Sequence, residues 1–174
     1  MINAQFQEML EKVRKKISKT DLFIMIWGPG EAADTLEKRK RFALKESLSE
    51  TFGENNVFFP EDRDLREFRD EVGNYAAEYH EAEAADIIFV IAESPGSITE
   101  LALLGKEFAS KIVVFVKHRK ECEQGFAREA YRGLNVEPIE LEEWRTCKRV
   151  NRIAQTYAET SRVNKYRNAT RGRC

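Results

Sequence analysis

A glutamate that follows a proline–glycine turn is the residue of this sequence best suited to chemistry. Positions 94–100 read SPGSITE. Pro95 and Gly96 end the preceding strand, and the spacing of Ser97 and Glu100 matches a capping box, which predicts a helix start. A carboxylate in the first turn of a helix is kept ionised by free backbone N–H groups and the helix dipole. Such a group can attack, or stabilise, the C1′ atom of a sugar while a glycosidic bond is cleaved.

The apolar run from Ile87 to Ala92 predicts where this glutamate lies. It shows no polar alternation, which is typical of a strand covered on both faces, as in a parallel sheet. Open parallel sheets bind ligands at the carboxyl ends of their strands. Glu100 would therefore lie at a ligand-binding edge. The same spacing also fits a purely structural role in which Glu100 only completes the helix cap, and the pattern leaves both alternatives open.

A second turn follows the first apolar strand, which we predict over residues 21–27. It reads Gly28-Pro29-Gly30, and glycine allows a ligand to approach the backbone closely. The turn matches neither a GxGxxG fingerprint nor a P-loop. Trp27 is either a half-buried strand end or an aromatic wall for a base or sugar. The basic run Lys38–Arg41 is typical of a solvated helix face, although its position after the turn would also allow it to contact a phosphate.

Strands and helices alternate along the chain. The predicted strands are 21–27, 57–59, 86–92, 111–117 and 136–141. The predicted helices are 3–19, 35–51, 65–84 with an interruption at Gly73, one that begins at the turn before Glu100, 121–132 and 141–162. Right-handed crossovers then give an α/β fold, a flavodoxin/Rossmann-like three-layer sandwich with a five-stranded parallel sheet, formed by residues 1–174 as a single domain. In this order the two turns meet at the carboxyl ends of the first and third strands.

The overall charge argues against a general affinity for nucleic acid. The 174 residues carry 29 basic and 30 acidic side chains. Basic residues crowd positions 161–174, which predicts a frayed, solvated tail, with a protein or nucleic-acid contact as the alternative. Three widely spaced cysteines fit a reducing cytoplasm. We expect no signal peptide, no membrane span, no metal and no cofactor.

Several motifs follow one another in an order that is more specific than any one of them. They are the Gly28-Pro29 turn after the first strand, the basic helix and proline-terminated strand over 37–60, the Ala85-Asp86 opening of an apolar strand, and the Gly96-Ser97-Ile98-Thr99-Glu100 turn. Over residues 22–117 this order resembles the nucleoside 2-deoxyribosyltransferase superfamily, including its nucleotide N-glycosidase branches. The Ser-Pro-Gly-Ser form is also similar to N-glycosidase effectors of bacterial anti-phage systems, such as those tied to retrons.

The resemblance implies that Glu100 is the nucleophile in cleavage of a nucleoside, nucleotide or NAD-type substrate. Water as the acceptor gives hydrolysis, and a second base as the acceptor gives transfer. We favour hydrolysis because the charged segment 61–71 suggests an entrance that is open to water. A second acid should protonate the leaving base. The candidates for it are Glu78, His80 and Asp86. The residues implied in substrate binding are Trp27, Gly28, Pro29, Ser94, Gly96 and Ser97.

Two positions depart from the superfamily's pattern. Its transferases hold the catalytic carboxylate with a tyrosine of the first strand, where this sequence has Met25. The acid that often precedes the glycine turn, and that binds sugar hydroxyls, is here Ser94. The sugar can therefore be deoxyribose or ribose. The family resemblance also implies a homo-oligomer. A non-catalytic nucleotide-binding sensor, or an effector domain of a larger complex, is the alternative function, because a fold alone does not decide activity.

Overall fold

A five-stranded parallel sheet forms the centre of the molecule. The computed structural model describes residues 4–30, 35–62, 70–92, 95–117 and 125–171. The strands are β1 (Ile24–Trp27), β2 (Val57–Phe58), β3 (Ile87–Ile91), β4 (Ile112–Lys117) and β5 (Asn135–Ile139). They lie in the order β2-β1-β3-β4-β5, and every neighbouring pair is parallel. This is the flavodoxin-like order, so the predicted α/β fold class is confirmed.

Seven α-helices in the described ranges connect and cover the strands. They are α1 (Ala4–Ser18), α2 (Leu36–Phe52), α3 (Asn74–Ala84), α4 (Pro95–Leu104), α5 (Gly125–Ala130), α6 (Leu141–Trp144) and α7 (Lys148–Arg171). Short 3-10 turns at Glu54–Asn56 and Pro60–Asp62 flank β2. Gly73, with φ +84°, immediately precedes α3, which confirms the predicted interruption at this glycine.

The central strands are apolar throughout because both of their faces are buried. Side chains of a strand alternate between the two faces of its sheet. In β1, Ile24 and Ile26 pack into one hydrophobic core with residues of α2 and α7. Met25 and Trp27 pack into a second core on the opposite face, with residues of α3 and α4. Every residue of β1 therefore faces one of the two hydrophobic cores, which explains why polar and apolar residues do not alternate along the strand.

Helix α2 begins as the sequence predicts but does not expose its basic run. Thr35 caps the helix, since its side chain accepts a hydrogen bond from the Lys38 backbone N–H. The prediction that residues 38–41 form a solvated face is wrong for two of them, because Lys40 is 0% exposed and Arg41 is 2% exposed. Lys40 Nζ donates to the Thr146 carbonyl at 2.9 Å, so its ammonium group ties α2 to the connection before α7.

Helix α4 starts earlier than the capping-box spacing predicts. Its first residue is Pro95, and proline suits the first helical position because its missing N–H would have no partner there. Ser97 therefore lies inside the first turn and Glu100 in the second. The interpretation of Ser97 and Glu100 as a capping box is wrong.

The last part of the chain is a long helix and not a frayed tail. The predicted closing helix is divided into α6 and α7, and α7 continues to Arg171. Arg162 and Lys165, both in the segment expected to be a tail, stack over the rings of Phe52 and Phe23, respectively. Neither α7 nor any other helix of the described ranges is long and apolar enough to cross a bilayer.

Candidate functional site

The switch point of the sheet lies between β1 and β3. These two strands pair directly, with Trp27 opposite Val90. The chain leaves β1 towards β2 on one side and leaves β3 towards β4 on the other, which opens a crevice at the carboxyl ends of both strands. Gly28 follows β1, and α4 begins three residues after Ala92. The structure thus brings the glycine turn and the first turn of α4 to the same crevice.

Gly28 is packed too closely for a larger residue. A Cβ atom at this position would lie 3.2 Å from Arg41 Cδ and 3.3 Å from Ile91 Cβ. Pro29 beside it is buried. The turn is therefore pressed between β3 and the side chain of Arg41, and a substitution at Gly28 would have to displace one of them.

The Arg41 guanidinium joins this turn to the end of β1 and to the carboxylate of Glu61. Its Nε and Nη2 atoms donate to the Ile26 carbonyl at 3.3 and 3.1 Å, and Nη1 donates to the Pro29 carbonyl at 3.0 Å. The same guanidinium binds both carboxylate oxygens of Glu61, at 2.6 and 2.7 Å, and lies 4.1 Å from the centroid of the Phe59 ring. A bidentate pair of this kind is strong and directional. It positions the glycine turn against the end of β2.

Sequence reasoning missed the importance of this pair. Arg41 is one of four consecutive basic residues, and Glu61 is the first residue of the charged segment 61–71, which is predicted to form the entrance to the site. The two residues are 20 positions apart, and no local pattern indicates that they meet. At the start of this charged segment, Pro60–Asp62 is a 3-10 turn, and residues 63–69 lie outside the described ranges.

A surface groove lies on the other side of α2, beside the edge strand β2. Its volume is about 990 Å³. Its described lining residues are Arg39, Phe42, Ala43, Lys45, Glu46, Ser49, Glu50, Glu54, Phe59 and Asp62. None of these is a predicted site residue. Lys45 pairs with Asp62, whose carboxylate also accepts a 2.6 Å hydrogen bond from the Phe59 backbone N–H. These contacts stabilise the loop after β2.

Trp27 does not form an open wall of the crevice. Its side chain is 2% exposed and belongs to the core that also contains Leu101 of α4. Both predicted alternatives, a half-buried strand end and an aromatic wall, are therefore wrong. Met25, the position where the superfamily carries its tyrosine, is completely buried in the same core.

Asp86 lies at the opposite edge of the sheet. It precedes β3, a strand of five residues that spans about 16 Å. Its Oδ2 atom accepts hydrogen bonds from the Phe23 backbone N–H at 2.8 Å and from Lys165 Nζ at 2.6 Å. Asp86 thus joins the amino ends of β1 and β3 to α7. It is not brought to the crevice.

Glu78 and His80 lie on α3 on either side of Tyr79. The Tyr79 hydroxyl donates to Glu107 Oε1 at 2.6 Å, a bond that raises the pKa of Tyr79 to about 12. Glu107 lies between α4 and β4, on the amino side of the sheet. His80 is exposed and lies 3.5 Å from Glu83, one turn closer to the end of α3. Glu78 and His80 both lie near the middle of α3, where Glu78 is half-buried and His80 is exposed.

The remaining predicted residues lie on or beside α4. Ser94 lies outside the described residues, and of Gly96, Ser97 and Glu100 only the helical backbone is described. Glu100 lies five residues after Pro95, about 7.5 Å along the helix axis, and directly before the buried Leu101. Among the residues with described side chains, no group of His, Cys, Asp and Glu could hold a metal ion.

A protein-family model matches residues 37–131 of the chain. This range includes Arg41, Glu61 and all of α3 and α4. The family model is described as STM3845 retron effector protein. The match covers 95 of the 174 residues, more than half of the chain. The chain belongs to this family of retron effectors. No curated protein matches it. The expected similarity to retron effectors is confirmed, and the resemblance to nucleoside 2-deoxyribosyltransferases stays a prediction.

Proposed function

We propose that this retron effector acts against phage by cleaving the N-glycosidic bond of a nucleoside, nucleotide or NAD-type substrate. The observation that carries the proposal is the meeting of two elements at the switch point. One is the turn at Gly28, and the other is the start of α4, the helix that carries Glu100. Parallel sheets bind ligands at such crevices, and the motif order of the sequence resembles that of enzymes with this chemistry.

In the proposed reaction the Glu100 carboxylate attacks C1′ of the sugar. A bond forms between a glutamate oxygen and C1′ while the bond from C1′ to the base nitrogen breaks. A general acid protonates the departing base. Water then attacks C1′, releases Glu100 and returns a proton to the acid. Of the three predicted acids, Asp86 lies at the opposite edge, and we retain Glu78 and His80 as candidates.

A non-catalytic nucleotide-binding effector domain is the second candidate. The buried Met25 favours it, because a thioether cannot hold a carboxylate as the tyrosine of the transferases does. In that case the crevice binds a nucleotide and Glu100 serves only the stability of α4. The effector would then act through a larger defence complex.

Base release distinguishes the two candidates. Purified wild-type protein, Glu100→Gln and the control Glu159→Gln are incubated with nucleosides, nucleoside monophosphates and NAD, and the products are separated by chromatography. Glu159 is an exposed glutamate of α7, so its variant should match wild type. We expect Glu100→Gln to release base at least about 1,000-fold more slowly, as is usual when a nucleophile is removed.

Two outcomes would contradict the proposal, the first for the role of Glu100 alone and the second for the enzyme activity as a whole. Equal release by wild type and Glu100→Gln would show that another group is the nucleophile. No release by a folded wild-type protein that binds a nucleotide would favour the sensor. Circular dichroism spectra of all three proteins establish that they are folded.

A further inference from the structure

Helix α7 gives one side of the molecule a strong positive charge. It carries seven basic residues and one acidic residue, Glu159, and it packs into the first hydrophobic core, on one face of the sheet. Helices α3 and α4 pack into the second core on the opposite face, and they carry four glutamates and no lysine or arginine. The net charge of -1 therefore conceals a separation of charge between the two sides of the sheet.

Four of the basic side chains of α7 are exposed and have no acidic partner among the described residues. They are Lys148, Arg152, Arg167 and Arg171. The other three are engaged within the protein, since Arg149 lies 3.6 Å from Glu143 and Arg162 and Lys165 each lie over an aromatic ring. Exposed cations whose charge no nearby acid compensates create a positive potential that attracts anions.

The exposed cations lie on or beside a polar row of α7. Residues at intervals of four form one row on a helix surface. One such row is exposed and polar throughout, and we call it the α7 ridge: Arg152, Thr156, Thr160, Asn164 and Asn168. With a rise of about 1.5 Å per residue, the ridge is roughly 24 Å long. Arg167 and Arg171 follow its two asparagines by three residues and therefore lie next to them.

The α7 ridge offers hydrogen-bond donors to a ligand. The Thr156 and Thr160 hydroxyls already donate to carbonyls of the helix, at 3.0 and 2.8 Å. The arginine guanidinium groups and the asparagine amides are therefore the donors that remain. Guanidinium groups bind phosphate oxygens with two parallel hydrogen bonds. A row of this length fits an extended ligand that carries phosphate groups at intervals.

We propose that the α7 ridge, together with Arg167 and Arg171, binds the phosphate backbone of a nucleic acid. Side chains that contact phosphates fix the position of a nucleic acid without reading its sequence. The affinity should therefore depend strongly on salt concentration and little on sequence. The glutamates of α3 and α4 would repel the same ligand, which directs it to the α7 side of the sheet. This surface does not depend on the proposed reaction at Glu100.

An anionic membrane is the competing partner for a basic helix. Helices that lie on a membrane hold to it by inserting apolar side chains between the lipids. No large apolar side chain of α7 is exposed anywhere along Lys148–Arg171, so this helix has nothing to insert. The observations therefore favour a polyanion that is bound by charge and hydrogen bonds alone.

Fluorescence anisotropy of labelled DNA, titrated with the full chain between about 50 and 200 mM NaCl, tests the proposal. The probes are an oligothymidine of about 30 nucleotides and a duplex of the same length, each long enough to cover the ridge. The test variant combines Arg152→Gln, Arg167→Gln and Arg171→Gln. The matched control combines Lys106→Gln, Arg128→Gln and Arg132→Gln, which removes the same charge at exposed positions outside α7.

We expect wild type and the control to bind alike. The test variant should bind at least about 30-fold more weakly at the lowest salt concentration, and its slope of log affinity against log salt should fall by about 2, because three phosphate contacts are lost. Circular dichroism establishes that both variants are folded. The measurement needs no turnover, so its result holds whether or not the protein releases base.

Two results would overturn the proposal. The first is a wild-type protein that binds neither probe at the lowest salt concentration, including one that binds phosphatidylglycerol vesicles through the same three arginines. The second is an equal loss of affinity in both triple variants, since the net charge and not the α7 ridge would then determine binding.

Discussion

Each of the two edges of the sheet has an acid–base pair, and the two pairs differ in burial. At the carboxyl edge, the Arg41 side chain is 2% exposed and its partner Glu61 is 37% exposed. At the amino edge, Lys165 and Asp86 are 37% and 24% exposed. Arg41 binds two backbone carbonyls as well as a carboxylate, whereas Lys165 donates to Asp86 and lies over the Phe23 ring.

The difference in burial determines how much each pair contributes to the free energy of unfolding. A buried guanidinium that loses its partners is very costly, because water cannot replace them. A pair that water reaches contributes little, because solvent screens it and ordering the side chains costs entropy. At the carboxyl edge, the glycine turn is therefore held in one position, because the buried guanidinium of Arg41 is strongly destabilising without its hydrogen-bond partners. The amino edge has a contact that can open at low cost.

The largest expected effect is on Arg41. Arg41→Met should lower the free energy of unfolding by about 3–5 kcal/mol, because the carbonyls of Ile26 and Pro29 and the Glu61 carboxylate all lose their donor. Urea denaturation followed by circular dichroism measures the loss. The matched control is Lys45→Met. Lys45 lies on the same helix as Arg41 and pairs with Asp62, but its side chain is 28% exposed. A loss below about 1 kcal/mol for both variants would remove the contrast with the amino edge.

A smaller effect is expected at Asp86. Asp86→Asn keeps an acceptor for the Phe23 N–H but loses the charge that faces Lys165, so it should cost about 0.5–1 kcal/mol. A double-mutant cycle with Lys165→Met isolates the coupling of the two side chains. Arg167→Met, at an exposed position of the same helix, serves as the control. A coupling as large as the loss at Arg41 would make the two edges equivalent.

The smallest effect on stability is expected at Tyr157, through which α7 contacts β5. The Tyr157 hydroxyl donates to Glu137 Oε1 at 2.7 Å, and this bond, followed by burial and the charge of Glu137, raises the pKa of Tyr157 from 10.0 to about 12. A pKa raised by folding means that the bond stabilises the protein fully below pH 10. That contribution disappears as the pH rises from 10 to 12.

Tyrosinate absorbance, followed during an alkaline titration, checks this shift. Tyr157→Phe should remove one late-ionising phenol, and Tyr79→Phe should remove another, because the pKa of Tyr79 is also raised to about 12. Tyr75 is half-exposed, so Tyr75→Phe serves as the control. If the late step is unchanged in Tyr157→Phe, α7 is not held to β5 by this bond, and Lys165 is its more important contact.

Much of the fold was predictable because it is encoded locally. The uninterrupted apolar runs of β1, β3 and β4 indicate burial on both faces, and Thr35 marks the start of α2. The glycine at position 28 marks the end of β1. Alternating elements of this kind allow few topologies. The switch point could therefore be located from the sequence, and the turn at Gly28 does lie there in the structure.

The contacts at the two edges of the sheet could not be predicted in the same way. Arg41 and Glu61 are 20 residues apart, and Asp86 and Lys165 are 79 apart. Local composition made Arg41 part of a surface patch and Lys165 part of a tail. Trp27 and Asp86 were expected in the crevice, yet one is buried in the core and the other lies at the far edge.

The sequence by itself determined the parallel sheet, the order of its elements and the location of the switch point, because periodicity and turn residues act over a few neighbouring positions. Only the tertiary structure decided which charges are buried, which acid lies at which edge and which face of α7 stays exposed. Those outcomes depend on elements distant in the chain that pack against one another, and no local pattern specifies which side chains they bring together.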